Sequence, residues 1–164
     1  DLMSFLFGNI LLVPTRELWF MAALDLALLA VVGLGYRHFI AVTFDEEFAR
    51  LRGLPVAALY LLLLVLVALT VVLMIQVVGL ILVIALLTLP AAVAGQWTHS
   101  ITSMMVAATL LGAGLTSGGL ALSYAPDLPP GPTIILLAGA LYLVSALVVG
   151  ALHRLRAAAP KRGA

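Results

Sequence analysis

The chain has 164 residues, of which 65% are hydrophobic and only 9% are charged, and its formal net charge is +1. A soluble domain has roughly 45–50% apolar and about 25% charged residues, so this composition excludes an ordinary soluble fold. The absence of cysteine excludes structural disulfides and thiolate metal sites.

Five segments are long and apolar enough to cross a bilayer, which takes about 20 residues per helix. They are residues 18–36, 56–75, 77–95, 101–122 and 133–152. A soluble chain of this length has no room to bury five such helices. The sequence therefore predicts an all-α, polytopic integral membrane protein with about five transmembrane helices.

Asp25 is the acidic residue within the first predicted span. A charged side chain at a helix centre costs about 2.5–3.5 kcal/mol on insertion scales. Apolar neighbours return about 0.3–0.6 kcal/mol each, so the helix can still insert. We expect Asp25 to face either a hydrogen-bonding partner on another helix or a wet path where it weakly contacts a cation.

The stretch "TFDEEFARLRGLP", residues 43–55, concentrates charge in an otherwise apolar chain. Thr43 and Glu46 have the T-x-x-E spacing of a capping box, which predicts a helix start. Gly53 predicts its end. Glu46 and Arg50 are placed to pair at i, i+4. The stretch is therefore predicted to form a short helix of about nine residues between the first two spans.

Two faces of this short helix differ in their side chains. Phe44, Phe48 and Leu51 form an apolar face, whereas Ala49 and Gly53 form a shallow small-residue face. A helix this short is not stable alone, so it must dock on the membrane surface or on a cytoplasmic partner. In the second case the small face allows close approach. A bulky residue at position 49 is then expected to block docking while the spans still fold.

The second and third spans have no polar loop between them. As a single helix, residues 56–95 would extend about 60 Å, twice the hydrocarbon thickness. A reversal is therefore predicted near Gln76 and Gly79. Pro90 removes a backbone donor within the third span. A helix broken at these positions would line a pathway, and the alternative is a proline kink that serves packing alone.

The fourth span is rich in small residues. Gly114 and Gly118 form a G-x-x-x-G pair, which lets helix backbones approach closely in lipid. We expect this helix to pack within the subunit or against a second copy.

Basic residues fall on one side of the five predicted spans, apart from Arg16. They are Arg37, Arg50, Arg52, Arg154, Arg156, Lys161 and Arg162. Basic residues near helix ends remain in the cytoplasm. The loop at 37–55 and the C-terminal tail are therefore predicted to be cytoplasmic, with residues 1–17 and 123–132 outside.

No residue pattern predicts catalysis. His38, His99 and His153 are far apart and lack metal-ligand spacing. Ser117 has no neighbouring His–acid arrangement to activate it as a nucleophile. No Gly-rich Lys–Ser/Thr loop is present to hold ATP phosphates, so any ATP must be bound by another chain.

Three motifs carry a family resemblance. "FDEEFARLRGLP", "VVGLILVIALLTLPAAVA" and "SYAPDLPPGP" occur in this order. Together they resemble the second half of the permease of metal-type ABC importers, the zinc, manganese and iron(II) family, and the resemblance covers nearly the whole chain. It implies a single transmembrane domain over residues 1–164, the C-terminal part of a larger permease, resembling half of a type II ABC importer permease.

The resemblance also implies roles for particular residues. In the family, the segment matching 43–54 is the cytoplasmic coupling helix that sits on the ATPase. The family pattern of an acidic residue, then Ala, then Gly matches Asp45 or Glu46, Ala49 and Gly53. The residues expected to couple to the ATPase are Phe44, Asp45, Glu46, Phe48, Ala49, Arg50 and Gly53. The outer loop implied to dock a metal-delivering protein contains Tyr124, Asp127, Pro129 and Gly131.

The resemblance further implies partners and a location. These are two cytoplasmic ABC ATPase subunits, an extracytoplasmic metal-binding protein and a homodimeric or otherwise paired permease, in the bacterial inner membrane and without nucleic acid. A divalent metal is the implied substrate, and the chain itself holds no cofactor. Neither the metal nor its path through the missing half follows from these residues.

Two other functions remain open. An ion-coupled secondary transporter would use Asp25 and the Pro90 region as its ion site. A membrane scaffold would need only the 43–53 helix lying on lipid.

Overall fold

A computed structural model describes residues 2–8 and 13–158. This part of the chain is helical and contains no strand, which confirms the predicted all-α class. The helices are α1 (Leu2–Phe7), α2 (Thr15–Phe44), α3 (Glu46–Leu51), α4 (Val56–Val78), α5 (Leu80–Trp97), α6 (Ile101–Tyr124) and α7 (Pro130–Ala158). Lys161 and Arg162, which enter the topology prediction, lie outside the described residues.

Within the described ranges, five helices are long and apolar enough to cross a membrane: α2, α4, α5, α6 and α7. The predicted number of spans is therefore confirmed. The helix α2 is longer than predicted, since its 30 residues extend about 45 Å at 1.5 Å per residue. The hydrocarbon core is only about 30 Å thick, so one end of α2 must project beyond it.

The helices form two compact units. One unit contains α1, α5, α6 and α7. The other contains α2, α3 and α4 through Val77. The predicted single domain over residues 1–164 remains a prediction.

In the first unit, α5 packs against both α6 and α7. The buried residues Ile134, Ala138 and Ser145 lie along α7 at helical spacing, so they form one buried stripe. The helix α6 approaches α7 closely at Gly119, where an added Cβ would lie 3.0 Å from the Cα of Ile134. Gly114 of the predicted G-x-x-x-G pair has no atom within 4 Å of that position, so Gly119 makes the close contact instead.

Gly79 alone separates α4 from α5, which confirms the helix break predicted there. Its φ of 85° is in the region that favours glycine. An added Cβ on Gly79 would lie 2.6 Å from the carbonyl oxygen of Leu6, and one on Gly131 would lie 2.8 Å from that of Phe7. The end of α1 therefore packs backbone to backbone against the first residues of α5 and α7.

Pro90 does not break its helix. The helix α5 continues through Pro90, which is buried, so the predicted break at this position is wrong. A proline removes one hydrogen bond of the helical ladder. Neighbouring helices compensate for such a loss within a membrane protein. A pathway role for Gly79 and Pro90 remains a prediction.

Candidate functional site

A single residue, Asp45, ends α2 and begins α3. Its backbone N–H donates to the carbonyl of Ala41 at 3.1 Å and so completes the last turn of α2. Its carboxylate Oδ1 accepts from the N–H of Phe48 at 2.9 Å, which caps the start of α3. With φ −147° and ψ 84°, Asp45 is non-helical and redirects the chain between the two helices.

The predicted capping box is wrong in its first residue. Thr43 lies in the last turn of α2, where its Oγ1 donates to the carbonyl of Phe39 at 2.7 Å. Thr43 therefore cannot cap the next helix, and Asp45 takes that position. As a result α3 has six residues, fewer than the predicted nine.

The end of α3 is a Schellman motif. The N–H of Gly53 donates to Arg50 O at 2.9 Å, and the N–H of Leu54 donates to Ala49 O at 3.1 Å. Gly53 has a φ of 74°, which glycine adopts without steric cost. The predicted stop at Gly53 is confirmed.

Ala49, one of the two residues of the predicted small face, packs on its own chain. Ala49 has 0% relative exposure and forms a buried cluster with Val42 of α2 and Val56 of α4. Three partly buried neighbours surround this cluster: Ala41, Leu54 and Leu59. The expectation that Ala49 lies on a partner-contact face is therefore wrong, because its face already joins α3 to the adjoining ends of α2 and α4.

The apolar face of α3 is exposed instead. The exposed fractions are 69% for Phe44, 48% for Phe48 and 83% for Leu51. Arg52 lies over the Phe48 ring with its Cζ 4.8 Å from the ring centroid, a cation–π geometry. The buried cluster thus fixes α3 in place and leaves its larger apolar side chains available for contact.

The charged residues of α3 surround a shallow, open depression. Glu46, Glu47 and Arg50 line it. Arg50 donates to Glu46 at 2.6 Å, a pair that is exposed on both sides and therefore contributes little to stability. Within the described residues Glu47 has no hydrogen bond or ion pair. Charged side chains are costly in hydrocarbon, so α3 is expected to lie outside the lipid core.

The predicted outer loop has a second structured turn. Asp127 has a φ of 53°, and the N–H of Leu128 donates to Ser123 O at 3.1 Å. Tyr124 is exposed on the last turn of α6. The carbonyl of Pro129 accepts from Thr133 Oγ1 at 2.9 Å.

Two details of this loop differ from prediction. The helix α7 begins at Pro130, three residues before the predicted span at 133–152. Gly131 is buried against Phe7. Gly131 therefore supports the loop from inside, while Tyr124, Asp127 and Pro129 remain docking candidates.

Asp25 is exposed on α2 and makes no hydrogen bond or ion pair with any described residue. The expected interhelical hydrogen bond therefore does not form within the described part of the chain. The described residues also contain no group of three or more His, Cys, Asp or Glu side chains that could hold a metal. A weak cation contact at Asp25 remains a prediction.

One polar contact was not predicted from the sequence. Trp97 Nε1 of α5 donates to Ser145 Oγ of α7 at 2.7 Å, and Ser145 Oγ donates to Gln96 Oε1 at 2.6 Å. Ser145 lies on the buried stripe of α7. A polar residue at helical spacing among apolar ones was the available signal, but its partner is 48 residues away in sequence.

Comparison with known protein families tests the resemblance carried by the three motifs. The family model for the ABC 3 transport family matches residues 1–149. The chain belongs to the ABC 3 transport family. The family expected from the three motifs is therefore confirmed.

The chain is also similar to curated membrane proteins, some of which are named for metal transport. An uncharacterized membrane protein of Synechocystis sp. is 50% identical over 145 residues, covering 88% of this chain and 52% of the relative. The manganese transport system membrane protein MntC of Listeria monocytogenes is 35% identical over 147 residues, covering 90% and 52%. The chain thus spans about half the length of the curated relatives it matches.

A solved structure has the same fold over most of this chain. The structure of PsaBC from Streptococcus pneumoniae in complex with Fab has a TM-score of 0.82 and 34% sequence identity, covering 88% of this chain and 52% of that one. Together with the five apolar helices, these relatives confirm a multi-pass protein of the bacterial inner membrane.

Proposed function

We propose that this chain is part of the membrane-spanning subunit of an ABC importer that carries a divalent metal ion across the bacterial cytoplasmic membrane. Membership of a transport family and relatives named for metal transport support the proposal. Manganese is the first substrate to test, because MntC is named for it. Zinc and iron(II) are the next substrates to test, because the three sequence motifs resemble a family that transports them.

The structure of α3 is the observation that carries the proposal. Ala49 ties α3 to α2 and α4, while Phe44, Phe48 and Leu51 remain exposed. A force applied to the exposed side chains passes to the two spans, because Ala49 packs against Val42 of α2 and Val56 of α4. Residues 43–54 therefore suit a coupling helix that seats in a groove of a separate cytoplasmic ATPase.

The remaining partners follow from the same function. ATP hydrolysis belongs to the partner ATPase, and this chain is a permease subunit rather than an enzyme. An extracytoplasmic metal-binding protein delivers the ion at the outer loop near Asp127. A second permease copy completes the pathway.

The test is transport by the full-length protein co-expressed with its ATPase and reconstituted into lipid vesicles. Uptake of manganese, zinc and iron(II) is measured with ATP on the cytoplasmic side, with and without the delivery protein. We expect ATP-dependent accumulation of at least one of these metals. The matched control replaces ATP with a non-hydrolysable analogue and abolishes accumulation.

Two results contradict the proposal. Uptake that persists without ATP but requires an ion gradient indicates a secondary transporter. Failure to accumulate any of the three metals, with a correctly inserted protein that does not bind the ATPase, indicates a scaffold.

A further inference from the structure

A chain of three polar side chains joins α5 to α7. The Ser145 hydroxyl accepts from Trp97 Nε1 and donates to Gln96 Oε1, so its donor and one acceptor site are both used. Ser145 is only 6% exposed. Consecutive hydrogen bonds polarise and strengthen one another where water is excluded.

The position of Trp97 makes this contact unusual. Trp97 is the last residue of α5, and an indole at the end of a span ordinarily places its N–H among lipid headgroups or water. Here the ring is half exposed, yet its N–H is bonded to a buried side chain of a neighbouring helix. The end of α5 is thereby fixed to α7 in one orientation.

Pro90 lies two turns before this contact in the same helix. Because proline has no N–H, it cannot donate to the carbonyl of Leu86, so the backbone ladder lacks one bond there. Two residues before Pro90, Thr88 Oγ1 donates to the carbonyl of Ile84 at 2.7 Å, an arrangement that favours helix bending. The helix α5 thus has a soft point between its first part and residues 91–97.

We propose that Gln96, Trp97 and Ser145 form a polar clamp that makes residues 91–97 of α5 move together with α7 during transport, with Pro90 as the joint. The role of the clamp rests on the proposed transport function, whereas its hydrogen bonds are independent of that function. In the cycle, it passes a displacement of α7 to the terminal segment of α5 without moving residues 80–89 to the same extent.

The first test measures the clamp without transport. Hydrogen–deuterium exchange is compared in the full-length protein for Ser145→Ala and wild type, in lipid nanodiscs. We expect exchange to rise about three- to tenfold in residues 91–97, which corresponds to the loss of one or two interhelical hydrogen bonds in lipid, with little change in residues 80–89. Ser117→Ala, which removes an exposed hydroxyl from α6, is the matched control and should change neither segment.

The second test measures the role of the clamp. In reconstituted vesicles, the number of metal ions imported per ATP hydrolysed should fall several-fold in Ser145→Ala, while co-purification with the ATPase stays at the wild-type level. Trp97→Phe keeps an aromatic ring but removes the N–H donor. It should reproduce both the raised exchange in residues 91–97 and the lower ratio of metal imported to ATP hydrolysed. Trp97→Phe also serves if Ser145→Ala does not insert.

The outcomes separate the two proposals. Unchanged exchange in residues 91–97 of both variants overturns the clamp, whatever transport shows. Raised exchange with an unchanged ratio of metal to ATP overturns its coupling role. Absence of ATP-driven uptake in wild type overturns the transport proposal, while the exchange result still decides whether the clamp exists.

Discussion

Ala49 of α3 and Val56, the first residue of α4, belong to one buried cluster, and Ala49 has no exposed surface. A larger side chain at position 49 must therefore separate α3 from the spans. We expect Ala49→Trp to lower the free energy of unfolding by about 1–3 kcal/mol, the usual cost of overpacking a core. Thermal unfolding of the full-length protein measures this effect.

The control for Ala49→Trp is Ala58→Trp, which adds the same side chain at an exposed position of α4. The control should unfold at nearly the wild-type temperature. If the two variants are equally stable, Ala49 is not packed as described. Any loss of ATPase binding by Ala49→Trp thus reports displacement of α3 as well as a blocked surface.

Leu51 is a cleaner probe of partner contact, since it is 83% exposed. We expect Leu51→Ala to weaken ATPase binding by about 1 kcal/mol, roughly fivefold, as for an apolar residue that contributes measurably to an interface. Stability should change little. Quantitative co-purification with the ATPase and thermal unfolding measure the two quantities.

Leu64→Ala makes the same change on an exposed part of α4 within the bilayer and should leave ATPase binding intact. Equal binding by Leu51→Ala, Leu64→Ala and wild type would show that the exposed face of α3 does not contact the ATPase. A helix lying on lipid would then explain that face better.

Asp45 caps α3 through its carboxylate. Asp45→Ala removes the acceptor for the Phe48 N–H and should destabilise α3 by about 1 kcal/mol, whereas Asp45→Asn keeps an acceptor oxygen and should cost much less. Hydrogen exchange at residues 46–51 measures the difference. Equal exchange in the two variants would mean that the carboxylate does not hold the start of α3.

Asp127 is a candidate contact for the metal-delivering protein, and its positive φ limits how it can be tested. Asp127→Lys changes the charge and also introduces a residue type that adopts a positive φ less readily. Asp127→Asn removes the charge alone, because asparagine adopts a positive φ readily. We expect Asp127→Asn to weaken binding of the delivery protein and to reduce uptake at limiting metal. Wild-type binding by Asp127→Asn would exclude a docking role for this carboxylate.

The predicted orientation can be tested with single cysteines, because this part of the protein has none of its own. Asp127→Cys should react with an impermeant thiol reagent added outside intact cells, and Arg156→Cys should react only after the cytoplasmic side is opened. Labelling of Arg156→Cys from outside would reverse the assigned topology.

The spans and the site were predictable to different degrees. Span number follows from hydrophobic length, which a bilayer selects directly. The start of α3 was missed because Thr43 and Asp45 are both good capping residues, and the choice depends on how far α2 extends. The positive φ of Gly53 followed from residue type, so the stop was predicted correctly.

Burial at the site was not predictable from periodicity. An apolar pattern at positions 44, 48 and 51 normally marks the buried side of a helix. Here Ala49 is buried instead, because α2 and α4 approach α3 from its small side. The Trp97–Ser145 contact joins residues far apart in sequence, so only the packing of α5 on α7 reveals it.

The one-residue connection at Gly79 has a consequence for biogenesis. From Val56 to Trp97 the chain contains no charged residue, and no hydrophilic loop separates the two spans. Because no hydrophilic segment lies between them, α4 cannot enter the lipid separately while α5 remains in an aqueous environment. We expect the two helices to enter the bilayer as a pair, so that a fault in α5 during synthesis also leaves α4 without a stable membrane position.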